Sequence, residues 1–309
     1  MNRCQITYEY LQEGSYSDEG LRRLSPKLMD LLPLEYSAEE LRIEAANRAS
    51  KMSIQGVQPK LVANLIVNMS KFEIVDKYGR YILKPQHSTF SQLPENEDLT
   101  MHLAKLAGIE VPTHGLIRGK DNKLTYFIQR FDRIGNNKKV AVEDFSQVAG
   151  LSRDTKYNYS MEKLVALIDE VCTFPSLEKA RLFRRVVFNF LVGNEDMHLK
   201  NYSIINKKGK IELSPAYDFL NSTIVLSGEV EEIALTLKGK KSDIKRDDII
   251  DYFGQERCGL TPKTVDSILN DIDVAIPEWY DFIDNSFLSE DMKEKYEKLL
   301  KDRIALLML

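Results

Sequence analysis

Residues 193–201 read GNEDMHLKN, directly after the apolar run FRRVVFNFLV (183–192). A helix that ends in this many functional side chains carries more than packing. It supplies a carboxylate at Asp196, a cation at Lys200 and an amide at Asn201. The next stretch, YSIINKKGKIEL (202–213), reads as a hairpin with its turn at Gly209. The hairpin returns the chain, so that Asp218 in SPAYDFLNS can lie beside Asn201 although 17 positions separate them. One carboxylate with one amide oxygen is a donor set that nucleotide-bound magnesium can use. Asp196 and Asn201 would also serve as simple caps of a helix and a turn. A cap has no use for a second carboxylate returned to the same place, so the ligand reading gains, and with it phosphoryl transfer.

The five-position interval from Asp196 to Asn201 is that of a protein-kinase catalytic loop, where the aspartate accepts a hydroxyl proton and the asparagine holds magnesium. Lys200 would steady the transferring phosphoryl group. His198 is open to two readings, a nucleotide or metal contact and an ordinary hydrogen-bonding residue. Upstream, YILKP (81–85) reads as a strand with Lys84 at its end, suited to α and β phosphates. A carboxylate of the PENED helix (94–98) would orient it. Glu97 is the candidate, with Glu95 and Asp98 competing. FIQRFDR (127–133) would form a hinge in which Asp132 takes ribose hydroxyls.

The chain has 309 residues, 43% hydrophobic and 29% charged, enough for a sizeable core in one large domain or two lobes. A net charge of −4 supplies no general attraction to a polyanion, which argues against direct nucleic-acid binding. Cys4, Cys172 and Cys258 are odd in number and form no CxxC pair, as expected of a reducing cytoplasm. The first residues carry no signal-peptide core and no apolar run reaches membrane-span length, so the expectation is a cytoplasmic protein without a membrane role.

Capping-box Ser37 with Glu40 opens a helix to about Arg48. KLVANLIV (60–67) and YILKP read as strands around the turn DKYG, and Pro94 to Gly108 as a helix. GLIRG and LTYFIQRF pair around KDNK. The pattern changes at Asp132: VEDFSQVAG, SMEKLVALIDEVC and SLEKARLFRRVVFNFLVG read as helices, with SRDTKYNYS as a polar loop and a charged amphipathic helix at the C-terminus. The reading is an α+β chain of two lobes: residues 1–131 with a small sheet, and 132–309 mostly helical.

KMSIQGVQPK (51–60) precedes the first strand. Gly56 permits a tight bend, Lys60 could meet phosphate and Ser53 could accept a phosphoryl group. SIQGVQPK, YILKP, ENE, QRFDR, EDFSQ, GNEDMHLKN, SPAYDF and ALTLKGKKS, in this order, together resemble the HipA-like serine/threonine kinases, the toxins of bacterial toxin–antitoxin systems. The resemblance implies a two-lobed protein-kinase-like fold, ATP and Mg2+ as cofactors, and phosphorylation of protein targets that include aminoacyl-tRNA synthetases. It implies Asp196 as catalytic aspartate, Asn201 and Asp218 as magnesium ligands, and Lys84 as the phosphate lysine. Gln129, Phe131 and Asp132 would form the nucleotide hinge, His198 and Tyr217 would line the pocket, and Ser53 would be autophosphorylated in its Gly-rich loop.

The chain departs from the pattern in having only Gly56 in that loop, no glycine after Asp218-Phe219, and Val142 where many relatives have glutamine. Its loop begins about 50 residues in, which resembles the short HipT type of a HipBST system. That type implies a HipS-like small protein and a HipB-like helix-turn-helix antitoxin as partners, with DNA engaged only through the antitoxin. A catalytically silent scaffold and a small-molecule phosphotransferase are the competing readings.

Overall fold

The computed structural model describes residues 2–48, 58–135, 138–151, 159–226 and 231–308. The chain forms two compact units. The first comprises Met1–Leu99, Pro112–Lys138 and Asp284–Leu288, and the second Thr100–Val111, Lys139–Ile283 and Ser289–Leu309.

In the first unit α1 (Asp18–Leu24) and α2 (Ala38–Arg48) precede a sheet. Five strands, β1 (Leu61–Ile66), β2 (Lys71–Ile74), β3 (Tyr81–Lys84), β4 (His114–Arg118) and β5 (Leu124–Gln129), pair antiparallel in the order β2-β1-β3-β5-β4. The helix α3 (Leu93–Leu106) begins in this unit and ends in the second. The capping box at α2 is present: Ser37 Oγ accepts from the Glu40 amide at 3.2 Å, and Glu40 accepts from the Ser37 amide at 2.7 Å. Leu41 and Ala45 then enter a core with Leu61, Ala63, Phe72, Tyr81, Leu83 and Phe127. Phe72 meets Tyr81 edge-on at 5.0 Å, an arrangement the ring quadrupoles favour.

One strand departs from the sequence reading. Two strands around DKYG were expected, yet the chain forms β2 between them in sequence, and it pairs antiparallel to β1 at the edge of the sheet. The turn into β2 uses Ser70 in the left-handed region (φ 50°), where no glycine or proline announces it.

The second unit contains β6 (Val142–Asp144), α4 (Phe145–Val148), α5 (Met161–Val171), α6 (Pro175–Leu191), β7 (Ser203–Lys207) and β8 (Lys210–Leu213). A π-helix at Asp248–Arg257, α7 (Pro262–Asp284) and α8 (Glu290–Leu307) follow. VEDFSQVAG is therefore not one helix. Val142–Asp144 pairs with β7, and Asp144 caps a single helical turn through a capping box with Gln147. The hairpin β7-β8 is thus two strands of a three-stranded sheet, in the order β6-β7-β8. Phe188 packs edge-on against Trp279 at 5.5 Å and stacks on Phe219 at 5.5 Å, which ties α6 to α7 and to the segment after Asp218.

The three cysteines are buried and form no disulfide. Among the described residues no helix is long and apolar enough to cross a membrane.

Candidate active site

Strand alternation decides where Lys84 points. Tyr81 and Leu83 join the core, so Lys84 takes the other face of β3. Its Nζ lies 2.5 Å from Glu97 Oε1 and 5.7 Å from the ring centre of its cross-strand neighbour Tyr126. Lys84 is 3% exposed and Glu97 2%. Of the three acids that compete on α3, Glu97 is the partner.

Glu95 is taken by Gln86, whose Nε2 donates to both carboxylate oxygens at 2.7 and 2.8 Å. Burial pushes the Glu95 carboxyl up to about 7. Asp98 is taken by His114 Nδ1 at 2.7 Å. Burial raises its pKa, against the pull of that hydrogen bond. At the start of α3, Glu95, Asn96, Glu97 and Asp98 are all buried.

At the expected hinge, Gln129 ends β5. Asp132 accepts from Arg130 Nε and Nη2 at 2.9 and 2.8 Å and from Arg133. Burial works to raise its pKa, yet the Arg130 hydrogen bonds and the two guanidinium charges hold it below the usual range. Lys60 is partly buried just before β1, whereas Ser53 and Gly56 lie outside the described residues.

In the second unit α6 is followed by Gly193, whose φ of 66° suits glycine. A Cβ there would come within 2.4 Å of Leu299 and 2.7 Å of Thr223. Its carbonyl accepts from the Thr223 amide at 3.2 Å and the Thr223 hydroxyl at 3.0 Å. The chain then folds around the Asp196 carbonyl, which receives the His198 amide at 2.9 Å and Asn201 Nδ2 at 2.8 Å. That bond uses the nitrogen end of the Asn201 amide. The Asp196 side chain is half exposed, with His198 Nε2 3.9 Å away.

Tyr217 joins the two segments that carry the expected magnesium ligands. Its hydroxyl donates to the Lys200 carbonyl at 2.8 Å and contacts the Ser203 hydroxyl. The residues next to Asn201 and Asp218 are thereby bonded to each other. Asp218 itself holds a left-handed backbone (φ 57°), uncommon outside glycine and most tolerated by Asn and Asp. Beneath this segment, buried Arg185 donates to the Ser214 carbonyl at 2.5 Å, and burial pulls its pKa down to about 10.

The sequence reading missed Ser203 and Arg185. A cation inside the apolar run of α6 was the available signal for Arg185, since a buried guanidinium needs partners.

The family model for the HipA-like C-terminal domain matches residues 52–280. The chain belongs to this family. A Haemophilus influenzae protein named "Putative kinase" is 32% identical over 72% of this chain and 68% of its own length. A Sinorhizobium fredii protein named "Putative kinase Y4dM" is 33% identical over 62% of this chain and 50% of its own. The serine/threonine-protein kinase toxin HipA of Shewanella oneidensis is 30% identical over 55% of this chain and 43% of its own. The chain therefore spans about two thirds of the first relative and half or less of the other two.

Among solved structures, the Shewanella HipA, HipB and operator DNA complex matches with a TM-score of 0.70 at 24% identity. It covers 91% of this chain and 74% of the other. The Helicobacter pylori proinflammatory kinase CtkA matches with a TM-score of 0.54 at 18% identity, covering 73% and 86%. This HipA-like chain thus has the α+β, two-lobed protein-kinase-like fold expected of its motifs.

Proposed function

We propose that this chain is a Mg-ATP-dependent serine/threonine protein kinase and the toxin of a HipBA- or HipBST-like toxin–antitoxin system. The observation that carries the reading is the pinning of Asn201 to the Asp196 carbonyl, with Tyr217 tying Lys200 to the Asp218 segment. A silent scaffold has no need of an amide and a carboxylate-bearing segment tied together this way.

The donor set suits a hard cation, one carboxylate and one amide oxygen. Asn201 and Asp218 would hold Mg2+, which supplies charge neutralisation to ATP phosphates. Lys84, oriented by Glu97, would hold the α and β phosphates. Gln129, Phe131 and Asp132 would receive the nucleoside, with His198 near its phosphates. Asp196 would accept the proton of the substrate hydroxyl, and Lys200 would offset charge on the group in transfer. Ser53 would be the self-modification site. A translation component such as an aminoacyl-tRNA synthetase would be the target, and HipB-like and HipS-like proteins the partners. The Shewanella HipA was solved together with HipB and operator DNA, which supports an antitoxin partner.

The test is radiolabel transfer from ATP by purified protein, with mass spectrometry of the protein expressed alone. Label on the wild type and on Ser53, lost in Asp196→Gln, is the expected result. Equal labelling of both proteins would sink the assignment.

A further inference from the structure

Away from the residues of the proposed kinase chemistry, the second unit carries a solvent-open cavity of about 410 Å³ between α6 and α7. Its lining is Ala180, Arg181 and Arg184 from α6 with Lys263, Thr264, Ser267 and Ile268 from α7. Three cations and two hydroxyls face it, and no carboxylate is in the lining.

The cations are only partly spent on the protein. Arg184 donates one N–H to the Ala107 carbonyl at 2.8 Å and another to Asp271 at 2.6 Å, which fixes the guanidinium and leaves three of its five donors. Arg181 reaches Glu178 only at 3.3 and 3.4 Å, and Glu178 also accepts the Leu213 amide at 2.9 Å. Among the described residues Lys263 has no ion pair. Even with Glu178 and Asp271 counted against the two arginines, one positive charge is left over. Ile268 is the only sizeable apolar side chain in the lining, so the cavity does not select an apolar ligand.

We propose that this cavity binds a small phosphate-bearing anion. A fixed guanidinium beside a second one and an ammonium matches the several oxygens of a phosphate, which accept bidentate donation from arginine. The volume falls in the range of small-ligand pockets and admits more than one phosphate group.

The test is calorimetric titration of the full chain with pyrophosphate, at constant ionic strength and with EDTA present so that no metal-dependent nucleotide site competes. Binding should weaken at least about tenfold, ~1.4 kcal/mol, in Arg181→Gln/Lys263→Gln. Ser267→Asp, which puts a carboxylate into the lining and removes no contact that the fold uses, should weaken binding as much. A cooperative melting transition in chloride alone, seen in both variants, verifies that each still folds. No binding by the wild type, or equal affinity in wild type and variants, overturns the proposal.

Discussion

The two charged constellations are held by opposite means. Lys84 and Glu97 form an ion pair with both side chains almost wholly out of water. Asp196 is placed by what its carbonyl accepts, and its carboxylate is half exposed, 51% by side-chain area. In the first case the charge itself is part of the packing. In the second, hydrogen bonds to the main-chain carbonyl, one from the His198 amide and one from the Asn201 side chain, define the loop. Stability and chemistry should therefore separate differently on mutation.

The largest effect expected is on activity. Asp196→Gln should lower phosphoryl transfer by roughly 10²- to 10⁴-fold, the usual contribution of a positioned acid–base group. Its urea midpoint should stay near the wild type, because substituting a half-exposed surface side chain typically moves stability by about 0.5 kcal/mol or less. A large loss of stability would show that the carboxylate, like Glu97, is structural.

Glu97→Ala is the reverse case. It removes the carboxylate partner of a buried ammonium and should cost about 3–5 kcal/mol in urea unfolding. A cost under about 1 kcal/mol would erase the contrast between the two regions.

Acid titration sharpens it further. Glu95 has a folded pKa of about 7 against an ordinary 4.5, so the folded state binds more protons than the unfolded between those values. Stability should fall as pH rises from about 4.5 to about 7, by on the order of 3 kcal/mol from this group. Glu95→Gln should flatten that part of the curve. An unchanged curve would mean that Glu95 is ionised in the folded protein.

The smallest effect is at Tyr217→Phe. Losing the bond to the Lys200 carbonyl should cost about 1 kcal/mol in unfolding. The loss in transfer rate should exceed that cost, since the bond aligns the segments bearing Asn201 and Asp218. Rates and stability measured on the same preparation give the comparison, and a rate loss no larger than the stability loss counts against the alignment.

Much of this was legible in the chain. Capping residues and Pro–Gly punctuation mark α2 and α3, and the Asp196–Asn201 interval marks the loop, because such signals act over a few residues. The strand β2 was not legible, since Ser70 takes a glycine-like backbone without being glycine. The Asp248–Arg257 π-helix has a period that a 3.6-residue template does not match. The choice among Glu95, Glu97 and Asp98 was beyond sequence as well. It depends on Gln86, Lys84 and His114 each claiming one acid, and strand pairing brings His114 to α3 from the far side of the chain segment that follows it.

The left-handed backbone of Asp218 bears on how a cation would be captured. A loop that orders around its ligand buries surface and loses chain entropy at that moment, and calorimetry registers both as a large negative heat-capacity change. Asp218 already has its bend, and Tyr217 and Phe219 on either side are already bonded and stacked. Cation binding at this position should therefore leave the heat capacity nearly unchanged, with its temperature dependence set by dehydration of the ion.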